Sequence, residues 1–268
     1  VPLPYRVCAI DLDETLLDDE QKVPARSART VKQVAELGVA VVLASGRMHE
    51  GIQRYGDQIG IAGPVISYNG AMVRDAATNE TWLHEEVSGE QAALVMDYCR
   101  ENDLQLNLYR DGKVLTAEMT PWLELYIHRT KAPYEIVPDF YTRLKGEPST
   151  KLVIINSPEY THGLKPHFQQ VFGSSLYITK TSDEYLEFMP PNANKGSALA
   201  LVAERLGVPR EQTIAFGDSY NDIPMLQWAG LGVAIGNARP AVKESAARIA
   251  PTNEECGVAT TLEELFGL

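Results

Sequence analysis

Asp11 and Asp13 stand one residue apart at the end of the apolar run VCAI, and Glu14 follows at once. Acids this close repel one another, and burial makes the charged forms costlier still. The chain returns to the same chemistry far downstream, where FGDSYNDIPML carries Asp218. Carboxylates of this kind suit a hard divalent cation. Mg²⁺ typically takes a few of them and fills its remaining positions with water and a substrate phosphate. Such an ion would also neutralise the repulsion. LASGR adds the Ser45 hydroxyl and the Gly46 backbone, and NANKGSAL adds Lys195. Acids, a lysine, a hydroxyl and glycine backbone are what phosphoryl transfer needs, because its catalysis is charge cancellation and positioning. A carboxylate is also a competent nucleophile at phosphorus. No GxxxxGK[ST] segment occurs, so the chain is not a P-loop protein.

These residues need a scaffold that brings them together. YRVCAIDL reads as a buried strand, PARSARTVKQVAELG as a helix closing on Gly38, and VAVVLAS as a second buried strand. A second helix, MHEGIQRYGDQIG, leads to a third strand in GPVISYNGAMV, with a turn at Asn69-Gly70. This rhythm predicts a doubly wound, Rossmann-like α/β sheet, which binds ligands at the carboxyl ends of its parallel strands. The middle reads differently. Ser88 and Gln91 form a capping box, Asp111-Gly112 marks a hairpin, and STKLVIINS, SLYITKTS and EYLEFMP are further strands around the helix YTHGLKPHFQQVFG. The expected organisation is a core at 1–83 and 189–268, interrupted by an α+β unit at 84–188. Lys195 then opens a helix, whose N-terminus also suits an anion.

The 268 residues carry a formal charge of -12, which disfavours nucleic acid as a partner but not a small anion met by local cations or a metal. Cys8, Cys99 and Cys256 form no paired spacing, and no apolar run approaches bilayer length. VPLPYR does not resemble a signal peptide, so a cytoplasmic protein with reduced thiols and no membrane partner is expected. The histidines show no metal-ligand spacing, and YIHRTK is a basic helix face or a contact for a second anionic group. Oligomeric state is not legible.

Asp11-Leu12-Asp13-x-Thr15, Ser45-Gly46-Arg47, Lys195-Gly196 and Gly217-Asp218-x-x-Asn221-Asp222 together resemble the motifs of the haloacid dehalogenase-like hydrolase superfamily. The long insertion resembles the C2 cap of its Cof-type sugar-phosphatase branch. The resemblance implies a Mg²⁺-dependent phosphatase acting on a small phosphorylated metabolite, a sugar phosphate in class, through an aspartyl phosphate. Asp11 would be the nucleophile, and Asp13 the acid that protonates the leaving oxygen and then the base that activates water. Asp11, the Asp13 carbonyl and Asp218 would bind Mg²⁺, with Asp222 nearby, directly or through water. Ser45, Gly46, Lys195 and Asn221 would hold the phosphoryl group, with Arg47 and Asn69 as further candidates for substrate contact. The cap would supply specificity.

Several of these residues have plainer readings. Ser45 and Asp222 could cap the helices that follow them, and Arg47 could pair with an acid. A phosphomutase would keep the aspartyl phosphate and pass it to another hydroxyl. A binding module would have lost Asp11 or Asp13, and both are present. One departure stands out: Glu14 occupies a position where the family pattern has glycine. A negative φ, at which the substitution is nearly free, is expected there because every catalytic position is intact.

Overall fold

The computed structural model describes residues 3–268, apart from the side chain of Thr181. Val1 and Pro2, which begin the VPLPYR segment, lie outside the described residues. The chain divides into two compact units, Val1–Leu83 with Asn194–Leu268, and His84–Ala193.

The first unit begins with β1 (Val7–Asp11), α1 (Ala25–Glu36), β2 (Ala40–Ala44), α2 (His49–Ile59), β3 (Pro64–Ser67), β4 (Met72–Asp75) and β5 (Thr81–His84). The second unit carries α3 (Gly89–Glu101), β6 (Gln105–Arg110), β7 (Lys113–Thr116), α4 (Pro121–Thr130), β8 (Tyr134–Ile136), α5 (Phe140–Arg143), β9 (Lys151–Ile155), α6 (Pro158–Phe172), β10 (Tyr177–Ser182) and β11 (Tyr185–Met189). The first unit resumes with α7 (Lys195–Arg205), β12 (Thr213–Gly217), α8 (Ile223–Trp228), β13 (Leu231–Ala234), α9 (Pro240–Ser245), β14 (Arg248–Ile249) and α10 (Gly257–Phe266).

The core sheet has the order β14-β13-β12-β1-β2-β3-β4-β5. β1 is parallel to both its neighbours, and all five of its residues are buried. A strand covered on both faces must be apolar throughout, which is why VCAI shows no alternation. Its side chains still divide by face. Cys8 and Ile10 pack with Val31 and Val34 of α1, Ile52 of α2 and Leu262 of α10. Val7 and Ala9 pack with Ala198, Leu199 and Val202 of α7 and Leu226 of α8. The sheet is therefore doubly wound, with one modification: β4 runs antiparallel to β3, so the β5 edge departs from the parallel pattern.

The second unit is a six-stranded sheet, β10-β11-β9-β6-β7-β8. Leu106 and Leu108 of β6, Leu152 and Ile154 of β9, and Leu186 and Phe188 of β11 share an apolar core with α3 and α6. α3 opens on the Ser88–Gln91 capping box, and β6 turns into β7 through Asp111 and Gly112, both at positive φ. The sheet also buries an ion pair, Lys151 with Glu187 at 3.1 Å. Cys8 and Cys99 are buried and Cys256 is half-buried, all as free thiols. Among the described residues, no helix is long and apolar enough to cross a membrane.

Candidate active site

β12, β1, β2 and β3 are consecutive in the sheet, and each delivers its candidate residues at its carboxyl end. Asp11 ends β1, Ser45 follows β2, Asn69 follows β3, and Asp218 follows β12. Lys195 is the first residue of α7, which packs against β3 and the turn after it.

Lys195 joins the most separated of these segments. Its side chain is fully buried, and Nζ donates to Asp11 Oδ1 at 2.5 Å and Asp222 Oδ1 at 2.6 Å. Burial works against its charge, but the two carboxylates outweigh it, so its pKa lies above the ordinary lysine range. Asp11 is shifted well upward, first by burial, then by Asp222, with Lys195 opposing. Asp218 is pushed up to about 7 by burial and then by Asp222, while hydrogen bonds from Ser219 and Thr15 pull the other way.

The carboxylates of Asp11, Asp218 and Asp222 are all buried, with one oxygen from each within 4.8 Å of the others. One lysine cannot balance three carboxylates. An all-oxygen, net negative donor set fits a hard divalent cation. Asp222 is already engaged: its Oδ2 accepts from the N–H groups of Asp218 and Ser219 at 3.1 and 3.0 Å. It does not cap the start of α8; its carboxylate reaches back to the strand end instead. Gly217 makes this possible, since a Cβ there would sit 2.4 Å from the Asp222 Cβ.

Asp13 lies in a tight turn, Leu12–Leu16, that closes through Leu17 N–H to Leu12 O at 2.9 Å. Arg47 grips its carboxylate with both arms, at 2.5 and 2.9 Å, and also contacts Tyr55 and Gln21. Arg47 is thus occupied by an acid of the site. Ser45 does not cap α2; its Oγ accepts from the Arg47 N–H at 3.2 Å. The Ser45 carbonyl accepts from Asn69 N–H at 3.1 Å, and Asn69 Oδ1 accepts from Asn221 Nδ2 at 2.9 Å. A Cβ on Gly46 would come within 2.9 Å of Asn69 Oδ1, so a side chain there would displace the Asn69 amide.

The expectation for Glu14 is overturned: its φ is +57°. The turn must reverse immediately after β1, and this left-handed residue is how it does so. Two contacts fix it. Asn237 Nδ2 donates to the Glu14 carbonyl at 2.7 Å, and Thr15 Oγ1 donates to Asp218 Oδ1 at 3.0 Å. Asn253 extends the brace, donating to Leu17 O at 3.0 Å and, through its N–H, to Asn237 Oδ1 at 3.0 Å. Neither asparagine was identified from the sequence. Each lies after a strand end on the same side of the sheet, and that position was the available signal.

A family model described as haloacid dehalogenase-like hydrolase matches residues 8–262. The chain is 30% identical over 275 residues to 5-amino-6-(5-phospho-D-ribitylamino)uracil phosphatase YitU of Bacillus subtilis, covering 99% of this chain and 98% of that protein. It is 28% identical over 239 residues to an HMP-PP phosphatase of Serratia proteamaculans, covering 89% of this chain and 86% of the other. A haloacid dehalogenase-like hydrolase from Bacteroides thetaiotaomicron has the same fold, with a TM-score of 0.90 at 29% identity over 98% of this chain and 100% of that one. With motifs, sheet order and relatives in agreement over nearly its whole length, this chain belongs to the haloacid dehalogenase-like hydrolases, as a phosphatase of the Cof type.

Proposed function

We propose that the core unit hydrolyses a small phosphorylated metabolite, a sugar phosphate by class, through a phosphoryl group carried on Asp11, with Mg²⁺ as its metal. The observation that carries this reading is Lys195 bridging Asp11 and Asp222, with Asp218 beside them. Lys195 holds Asp11 Oδ1, which leaves Oδ2 to form the bond to phosphorus. The P–O bond to the leaving group then breaks, and Asp13 gives that oxygen its proton. In the second half, Asp13 takes a proton from water, the water oxygen attacks phosphorus, and the P–O bond to Asp11 breaks. Ser45 and the Gly46 N–H bind the phosphoryl oxygens, and Asn221 and Asn69 shape that pocket. Asp11, Asp218 and the Asp13 carbonyl would hold the ion, which would supply neutralisation of charge on the phosphoryl oxygens. Asp222 orients Lys195, and Arg47 orients Asp13.

The relative from B. subtilis is named for a phosphorylated ribityl compound, which supports a small metabolite. The first test is phosphate release from a panel of small esters, with and without Mg²⁺, using Asp11→Asn as the blank. Release that needs Mg²⁺ and vanishes in the blank is the expected result. No release from any ester by the folded protein would overturn the reading.

A further inference from the structure

Of the two adjacent acids in the turn after β1, one is neutralised and the other is not. Arg47 covers Asp13. Glu14 is exposed, and among the described residues no ion pair or side-chain hydrogen bond engages its carboxylate. Arg239, whose backbone N–H donates to the Asp218 carbonyl at 3.2 Å, has its guanidinium over the Tyr220 ring at 5.4 Å.

Glu14 also sits in a conformation that disfavours any residue with a Cβ, at φ +57°. Its backbone is clamped there by Asn237, and the next residue, Thr15, ties the turn to Asp218. The backbone therefore cannot carry the side chain far from the reacting groups. Glycine would satisfy the turn without strain. What the glutamate adds is an unpaired charge on a backbone position that is held beside Asp13.

We propose that Glu14 is a specificity-determining residue that discriminates against phosphate esters whose leaving group carries a second anionic group. The inference rests on the phosphatase reading above. The transferred phosphoryl group is common to all substrates, so its own repulsion by Glu14 cancels in a comparison. A carboxylate or second phosphate on the leaving group adds a repulsion that a neutral hydroxyl does not.

The test compares glycerol 3-phosphate with 3-phosphoglycerate, which differ by a carboxylate in place of a hydroxymethyl group. Both are measured as competitive inhibitors of Mg²⁺-dependent p-nitrophenyl phosphate hydrolysis. Glu14→Gln removes the charge and keeps the Cβ, and Glu14→Gly removes both. The wild type should bind 3-phosphoglycerate more weakly. Both variants should narrow the ratio of inhibition constants about fivefold at low salt, and the narrowing should shrink as salt rises. The constant for glycerol 3-phosphate should stay within about twofold. An unchanged ratio in Glu14→Gln, with the reporter hydrolysed, overturns the role of Glu14 alone. Hydrolysis of the reporter and of the whole ester panel that is absent in wild type, or equal in Asp11→Asn, overturns the phosphatase reading and this inference with it.

Discussion

Arg47 binds both carboxylate oxygens of Asp13, with contacts of 2.5 and 2.9 Å. The planar guanidinium fixes the carboxylate in two directions, which a lysine cannot do. Arg47→Lys should therefore lower kcat about tenfold with little change in KM. Arg47→Ala should lower it further. Steady-state kinetics on one ester decide the matter, and a change confined to KM would make Arg47 a substrate ligand instead.

Lys195 is the most exacting position in the site. Removing its charge leaves Asp11 and Asp222 facing each other in a buried setting. Lys195→Met should cost about 3–5 kcal/mol, as expected for a buried pair that loses one partner. Urea unfolding of the metal-free protein measures this. Asp11→Asn should retain the fold, because an amide can still accept from Lys195.

The pH dependence follows from Asp218. An aspartate in the unfolded chain ionises near pH ~4, whereas Asp218 in the fold is shifted up to about 7. Between those values the folded protein binds the extra proton, so stability falls as pH rises through the window. Asp11 acts in the same direction. Lys195 is shifted upward as well, but its contribution is lost only as pH rises through the alkaline range. Metal-free protein should melt at a higher temperature at pH 5 than at pH 8 as far as these groups are concerned. Added Mg²⁺ should raise the melting temperature more at pH 8 than at pH 6, because protons compete for the same carboxylates. Thermal melts across pH, with Mg²⁺ or a chelator, test both statements.

Gly217 and Gly46 separate stability from binding. Gly217→Ala drives a methyl into the Asp222 Cβ at 2.4 Å, and should cost about 1–3 kcal/mol with loss of turnover. Gly46→Ala meets the Asn69 amide oxygen at 2.9 Å. That side chain can shift, so KM should rise several-fold while the melting temperature moves little.

The sequence made the central strands and the site segments legible for one physical reason. β1, β2 and β12 are buried on both faces, so each is a largely apolar run whose end is marked by a polar residue, and that residue is the candidate one. The Asp111-Gly112 turn and the Ser88 cap were legible because their chemistry is local. The short β5 and β8 were not: they sit at sheet edges, largely exposed, and carry no periodic signal. The sign of φ at Glu14 was misjudged because the residue type argues for a negative value. The turn geometry, enforced by Asn237 from the far end of the chain, prevails. The Arg47–Asp13 pair was foreseeable only as one option, since nothing in the sequence says which acid faces the guanidinium.

The core unit is interrupted in sequence, and β1 occupies its centre with neighbours from both chain segments. On the ribosome, β1 emerges early and finds β2 soon after. Its other partner, β12, is synthesised only after the whole of His84–Ala193. At elongation rates of ~5–20 residues per second, the wait lasts many seconds. Through that interval β1 is an open edge, with Asp11 beside it and no Lys195 to bridge it. The inserted unit is continuous in sequence and can complete its own sheet first. The candidate site thus assembles only after the inserted unit has been made, and a chain arrested before Lys195 presents an unfinished sheet whose exposed edge can recruit another strand.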